Sequence, residues 1–504
     1  MSDQTFQYIA LGIYFLGMIV IGLWASTKNT DNEDYMLGGR SLRPGVAALS
    51  AGASDMSGWL VMGLPGAIYV SGLLDAWIAV GLTVGAWVNW KLVAPRLRAY
   101  SEVAGNAITI PSFFDNRLKA DGLSSRVLRV TCGIIILVFF IFYVSSGMVA
   151  GGKFYQTTFG GNYLLGMIVI AAITVLYTFF GGFLGATFTD VAQGLLMLIA
   201  LIMVPVVAVI QFGGPSNVLH AVSEANPNAL SLVSGATAIG VVSSLAWGLG
   251  YFGQPHIVIR FMALRAPKDA PTARRIGISW MVLSVLGTIA TALTGIAYFS
   301  THPEASLTDT KSAETVFLDL SQILFHPLAA GFVLAAVLAA IMSTVSSQLV
   351  VSSSAAVEDL AMLIIKRKPS PKVQLWMSRG AVLTVSVIAA LIALDSDSAV
   401  LELVAFAWAG FGAAFGPLML MSLFWKKLTA TGGLCSMIVG AVVTIVWRYV
   451  FQDPESTGIL ALYEIVPGFL AALVVGIVVS LMTHKQSERV EHEFEEAKEL
   501  ASAR

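Results

Sequence analysis

What most limits the folding of this chain is a series of about thirteen apolar stretches, most near 20 residues long, joined by short polar links. They lie near 6–26, 46–71, 73–95, 127–150, 162–182, 190–212, 233–256, 274–299, 320–357, 377–394, 399–424, 429–449 and 461–482. About 20 apolar residues in a helix cross the hydrocarbon core of a bilayer. Only 12% of the 504 residues are charged, against about 25% in soluble domains. The expected fold is therefore an all-α polytopic membrane protein with about thirteen transmembrane helices. The ninth stretch is too long for a perpendicular crossing, so an approach segment, a bend or a tilt is expected there.

Cation placement tests that count. With the N-terminus outside and strict alternation, the inner links hold 26 of the 29 Lys and Arg, leaving Lys153, Lys311 and Arg448 outside. That asymmetry predicts N-out, C-in, since inner loops hold the positive charge. The expected location is a bacterial cytoplasmic membrane. MSDQTF at the start carries no positive charge, so the first stretch reads as a span rather than a cleaved signal. Lys366-Arg367-Lys368 is expected to meet anionic headgroups, and membrane lipids are the expected surroundings. A net charge of −1 suggests no nucleic-acid partner. No obligate protein partner is expected. Trp87, Trp90, Trp376 and Trp425 near span ends read as interfacial anchors. Gly81-Gly85 and Gly410-Gly412-Gly416 read as close helix packing. Cys132 and Cys435 read as small core residues. The tail from Lys485 reads equally as an amphipathic helix or a solvated segment.

Polarity enters the apolar stretches at three places. In SAGASDMSGW, residues 50–59, Asp55 is costly in lipid unless paired, hydrated or neutralised. Gly52 and Gly58 beside it permit a helix break. Broken backbone exposes carbonyls that suit a hard cation, and Ser54 and Ser57 add hydroxyls. A structural pair with an arginine is the plainer reading. In VLAAIMSTVSSQ, Ala340, Ser343 and Thr344 share one helical face. Their oxygens suit sodium if a second segment supplies the rest; back-bonding to their own helix is the alternative. In AWGLGYFGQP, Pro255 and three glycines weaken the helix, and Trp247 and Tyr251 can enclose a small ring or chain. A kinked, packed helix is the alternative. Tyr143 needs a partner if buried. Asp190 reads as a helix cap or an inside gate, and Arg40 as a gate salt bridge or a headgroup ligand. His256 and Arg260 flank the inner end of the seventh stretch.

No metal-ligand spacing, nucleotide-binding loop or hydrolase elbow accompanies these residues, so an enzyme is not expected. A gradient must then drive any transport.

The segments LGGRSL, ALSAGASDMSGWLVMGLPGA, VGAWVNWKLVAPRLR, SSGMVAG, FFGGFLGATFTD, WGLGYFGQPHI, VLAAIMSTVSSQL and AWAGFGAAFGP closely resemble the sodium/solute symporter family, over nearly the whole chain. The resemblance implies sodium-coupled uptake of L-proline, one sodium per proline, by alternating access. It also implies a LeuT-like five-plus-five inverted-repeat core, with repeats at 46–212 and 233–424. Around them lie a first helix and linker (1–45), an outside linker (213–232), two peripheral helices (425–482) and a cytoplasmic tail (483–504). By resemblance, Ala53, Met56, Ala340, Ser343 and Thr344 would bind Na+, and Asp55, Ser57 and Gly58 would couple the ion. Tyr143, Trp247, Tyr251 and Pro255 would meet proline, and Arg40 and Asp190 would act in gating. The alternatives are a sodium symporter for another small solute such as pantothenate or another amino acid, proton coupling through Asp55, and a membrane solute sensor.

Overall fold

The computed structural model describes every residue except 1–2, 28–35, 119–124, 303–306, 308–309, 366–368, 454–455, 457, 486 and 503–504. Among the described residues the regular structure is helical, with one isolated bridge between Leu42 and Leu264. The helices in chain order are α1 (Asp3–Ser26), α2 (Pro44–Asp55), α3 (Leu64–Ser71), α4 (Ala76–Val88), α5 (Ala94–Val103), α6 (Ile110–Leu118) and α7 (Ser125–Phe159). Then come α8 (Tyr163–Gln211), α9 (Pro215–Ala225), α10 (Ala238–Ala246), α11 (Pro255–Met262), α12 (Ala270–Thr301) and α13 (Val316–Leu324). The last are α14 (Pro327–Ser354), α15 (Pro371–Ile392), α16 (Val400–Phe424), α17 (Ala430–Val446), α18 (Ile465–Thr483) and α19 (Glu488–Ser502). Among the described residues, ten helical segments are long and apolar enough to cross a membrane.

Proline opens many of these helices, because a first turn does not need its missing N–H. Glycine breaks them. Helix α8 would be about 73 Å long if straight, more than twice a hydrocarbon core. Gly182 divides it with φ 58° and ψ −150°, a backbone only glycine adopts readily. The kink separates two helical arms, where two stretches were expected. The acidic 300–319 segment leads into α13, and the 213–232 link contains α9, both as short helices. The cationic run 366–368 lies outside the described residues.

Burial sorts the helices into layers. Helices α14 and α16 are 83% buried along their most apolar windows, while α15 and α17 are 28% buried. The first pair is the centre and the second faces lipid. Small residues let the backbones meet. A Cβ on Gly85 or Gly81 of α4 would strike the backbone of Gly248 or Leu245. Gly412 of α16 faces Gly250 in the same way. Gly85→Ala should therefore displace the turn at 247–252 and destabilise the protein by about 1–3 kcal/mol. The thermal midpoint of the purified variant checks this, and an unchanged midpoint would show that the contact yields.

Two expectations change on folding. Trp90 is 6% exposed and packs on Phe261 at 4.4 Å, so it is a core residue and not an interfacial anchor. Trp87 and Trp376 are exposed. The tail forms α19 and docks, which settles its two readings. Phe494 is buried beside Tyr100 and beneath Arg96, Arg117 and Lys426, and Lys426 pairs with Glu495.

Candidate functional site: two helix breaks around a buried carboxylate

Helix α2 stops at Asp55. Met56 leaves the helix with φ −79° and ψ 81°, and a wide π turn resumes at Trp59. The break needs partners for its freed carbonyls. Asp55 O accepts from Ser57 N at 2.9 Å and from the Trp59 indole at 3.0 Å. Leu60 O accepts from Thr288 Oγ1 at 3.0 Å. Gly58 sits where a Cβ would come within 3.1 Å of Ala150 and 3.4 Å of Val400, so α7 and α16 close on the break.

The second break is the 3-10 turn Trp247–Phe252 between α10 and α11, ended by Gly253 and Gln254 before Pro255 restarts the helix. Side chains again replace the lost ladder. The Trp408 indole donates to Trp247 O at 2.7 Å, and Asn89 Nδ2 donates to Tyr251 O at 2.9 Å. Gln254 Nε2 donates to Trp408 O at 3.1 Å.

The two breaks meet through one contact: Tyr251 Oη donates to Asp55 Oδ2. Asp55 is 2% exposed, and among the described residues no cation pairs with it. The arginine-pair reading therefore does not hold. Asp55 Oδ1 has no hydrogen-bond partner among the described residues. A buried carboxylate so held strongly favours an incoming cation. A cavity of ≈ 20 Å³ adjoins Asp55, Met56, Asn89, Tyr251 and Met281. That is room for about one water-sized particle, so a solute the size of an amino acid requires this region to widen.

The Ala340 face arrives from α14. Ser343 Oγ lies 2.7 Å from Ala53 O and 3.1 Å from Ala340 O; Thr344 Oγ1 lies 3.3 Å from Ala340 O. Four of the five residues in the expected ion set thus share one polar cluster. The fifth, Met56, is fully buried three residues beyond Ala53, at the break itself. Back-bonding of both hydroxyls to Ala340 O is present as well. One proton cannot serve two carbonyls equally, and Ser343 directs its closer contact across to α2.

Among the residues expected to meet the solute, Trp247 and Tyr251 both pack on Trp408, with ring centroids 6.5 and 5.1 Å away. Trp247 also stacks on Tyr463 at 5.3 Å. Tyr143 is buried edge-on to His256 at 5.7 Å and lies close to Ser57 and Asp55 without a completed hydrogen bond. Pro255 opens α11 one turn beyond Tyr251.

Each end of this region carries a buried ion pair. At one end Asp190 Oδ2 accepts from Ser50 Oγ at 2.7 Å and pairs with Arg260 at 3.1 Å. Arg260 also reaches Ser50 at 3.1 Å and Ser347 at 2.5 Å. This network joins α2, α8, α11 and α14, all fully buried. Asp190 stands about two turns into the second arm of α8, so it does not cap that arm. Arg40, on the same side, bonds Asn106 at 3.0 Å, Ser101 at 2.9 Å, Met262 O at 2.8 Å and Ala107 O at 2.7 Å. Its φ of 51° is strained for a side-chain-bearing residue, and these bonds hold it there. Its guanidinium is thus engaged within the protein rather than offered to headgroups.

At the other end Lys153 pairs with buried Glu314 at 2.8 Å. Glu314 also accepts from Val400 N at 3.4 Å and Leu401 N at 3.3 Å, at the start of α16. Gly66 presses on the Ala313–Glu314 backbone, so this segment covers α3.

Sequence reasoning passed over Ser50, Asn89, Gln254, Glu314, Ser347 and Trp408 as site residues, and left Arg260 without a role. Ser50 and Trp408 stood inside motifs already singled out. Glu314 lay in an acidic link whose target could not be read from spacing.

The model of the sodium:solute symporter family matches residues 35–440. The osmoregulated proline transporter OpuE of Bacillus subtilis is 49% identical, covering 95% of each chain. The high-affinity proline transporter PutP of the same organism is 48% identical, covering 96% of this chain and all of that one. A sodium/proline symporter of Staphylococcus aureus is 48% identical over 99% of this chain and 97% of its own. Among solved structures, a Na+-coupled sialic acid symporter in a substrate-bound outward-open state shares the fold, with a TM-score of 0.80 at 18% identity over 95% and 98% of the two chains. With a match over most of its length and relatives this similar, the chain belongs to the sodium:solute symporter family.

Proposed function

We propose that this chain carries L-proline into the cell with sodium, by alternating access across the bacterial cytoplasmic membrane, one sodium with each proline. It is a transporter rather than an enzyme. The observation that supports the coupling best is the Ser343 hydroxyl against the Ala53 carbonyl, next to Asp55. It joins two helices distant in sequence through oxygens alone. The relatives' names supply the solute.

In this reading the chain crosses thirteen times, N-out and C-in. Helices α2 and α3 make one crossing, the arms of α8 two, and α10 with α11 one. The repeats are 46–212 and 233–424, LeuT-like and inverted, flanked by the segments 1–45, 213–232, 425–482 and 483–504. Sodium sits among Ala53, Met56, Ala340, Ser343 and Thr344. Asp55, Ser57 and Gly58 couple its arrival to the break in α2. When sodium binds, Ser343 turns its proton away from Ala53 O and both oxygens face the ion. The Asp55 carboxylate, facing a new positive charge, is drawn from Tyr251. Tyr251 and Trp247 then open toward Trp408 and Tyr143, and proline fills the widened space beside Pro255. The Asp190–Arg260 network and Arg40 guard the inside, and Lys153–Glu314 the outside. Sodium and proline each bind tighter in the other's presence, because both favour the same arrangement. One charge moving inward through −100 mV supplies about 2.3 kcal/mol.

Purified protein in sealed vesicles tests this by labelled proline uptake under separate sodium and proton gradients. Uptake should follow the sodium gradient. Uptake driven by protons alone removes the coupling, and sodium-driven uptake of another solute that excess proline does not inhibit removes the substrate. Ser343→Ala should raise the sodium concentration for half-maximal uptake by roughly tenfold, the value of one contact to a charged group. An unchanged sodium dependence in folded protein removes Ser343 from the ion set.

A further inference from the structure

Arg379 is an unusual residue on a lipid-facing helix. It lies eight residues, about 12 Å, from the start of α15. Helical side chains lean toward the N-terminus, so its head reaches back toward the nearer membrane surface. Its Nε donates to Phe179 O at 3.0 Å. The guanidinium lies 5.0 Å from the Trp376 ring, 5.3 Å from Phe179 and 5.6 Å from Phe180. These contacts fix its position but do not neutralise it, and among the described residues it makes no ion pair. Arg129 and Arg448, also half-buried, do, as does the buried Lys153.

An apolar groove of ≈ 500 Å³ begins at this cluster and runs between α7, α8 and α15. Met148 forms its floor, and Ile168, Leu176, Leu383 and Val387 form its walls. Those four wall residues are 46–61% exposed, so the groove opens sideways to lipid. From Phe179 to Met167 it extends about 18 Å along α8, slightly more than the ~15 Å acyl depth of one leaflet. A fixed, unneutralised cation at headgroup depth and an apolar channel one leaflet long form two halves of one recognition surface.

We propose that this groove binds an anionic phospholipid of the inner leaflet, its phosphate on Arg379 and one acyl chain along Leu176 and Val387. Basic pockets between membrane helices on the cytoplasmic side hold anionic headgroups in this way. Arg suits the task because its planar fork pairs two phosphate oxygens while its face stays on the aromatic rings. The site rests on the inner placement of the α15 start, but not on the transported solute.

The test uses the full chain in phosphatidylcholine nanodiscs doped with phosphatidylglycerol carrying a photoreactive acyl chain. Labelling should concentrate on peptides holding Leu176 and Val387. It should exceed that by the matching phosphatidylcholine probe by roughly fivefold, the worth of one basic residue at an anionic surface. Unlabelled phosphatidylglycerol should compete, and inorganic phosphate should not. Arg379→Gln should reduce labelling to the phosphatidylcholine level. If that variant does not fold, Leu383→Trp, which fills the groove and keeps the arginine, should abolish labelling at Leu176. Equal labelling by both probes, labelling elsewhere, or crosslinks between two copies of the chain at Val387 would overturn the proposal.

Discussion

Asp55→Asn should lower sodium-driven proline uptake by about a hundredfold while the protein stays folded and at least as stable as the parent. The substitution keeps the shape and an acceptor for Tyr251 Oη. It removes the charge. Asp55 is 2% exposed and makes no ion pair among the described residues, so burying it ionised is costly before sodium arrives. Neutralisation relieves that cost, and the thermal midpoint should hold or rise. A carboxylate-to-cation interaction at such a site is worth about 1.5–3 kcal/mol, or roughly 10- to 150-fold in binding. Uptake against sodium concentration, read beside thermal unfolding, separates the effects. Activity near the parent's, at the parent's sodium dependence, would remove Asp55 from the coupling. Lost stability with lost activity would mean that the residue is structural.

Arg260→Met should act in the opposite way, through stability first. It leaves Asp190 fully buried with Ser50 and Ser347 but without its cation. Removing one partner of a buried pair costs about 3–5 kcal/mol. Replacing both partners by apolar groups is often neutral, so Arg260→Met with Asp190→Leu should recover most of the thermal midpoint. If the network is also the inner gate, the double variant should still transport slowly, because α2, α8, α11 and α14 have lost their shared switchable contact. Full transport by a restored double variant would leave the network a structural role only. An undisturbed midpoint in the single variant would mean that water reaches Asp190.

The local half of the site was legible residue by residue. A break was readable at Ala53–Gly58 from Asp55 between Gly52 and Gly58, and another at 246–255 from Pro255 and its glycines. Both lie where expected. The resemblance then grouped Ala53 with Ser343, which the fold places 2.7 Å apart. Less was legible where a side chain serves two purposes. Trp90 looked like an anchor because it stands at a span end, yet a neighbouring helix covers it. Asp190 looked like a cap because it follows a glycine-rich bend. Its partner Arg260 lies 70 residues away.

By itself the sequence determined that this chain lives in a bilayer, where its helices break, and which residues carry oxygen or charge at depth. Those properties follow from short-range rules: hydrophobic length, the missing N–H of proline and the freedom of glycine. Only the tertiary structure decided which charges meet. It set Tyr251 rather than an arginine on Asp55, Arg260 on Asp190 and Glu314 on Lys153. In a low-dielectric interior an unpaired polar group is costly, and the partner nearest in space is set by how helices cross, which no spacing along the chain encodes.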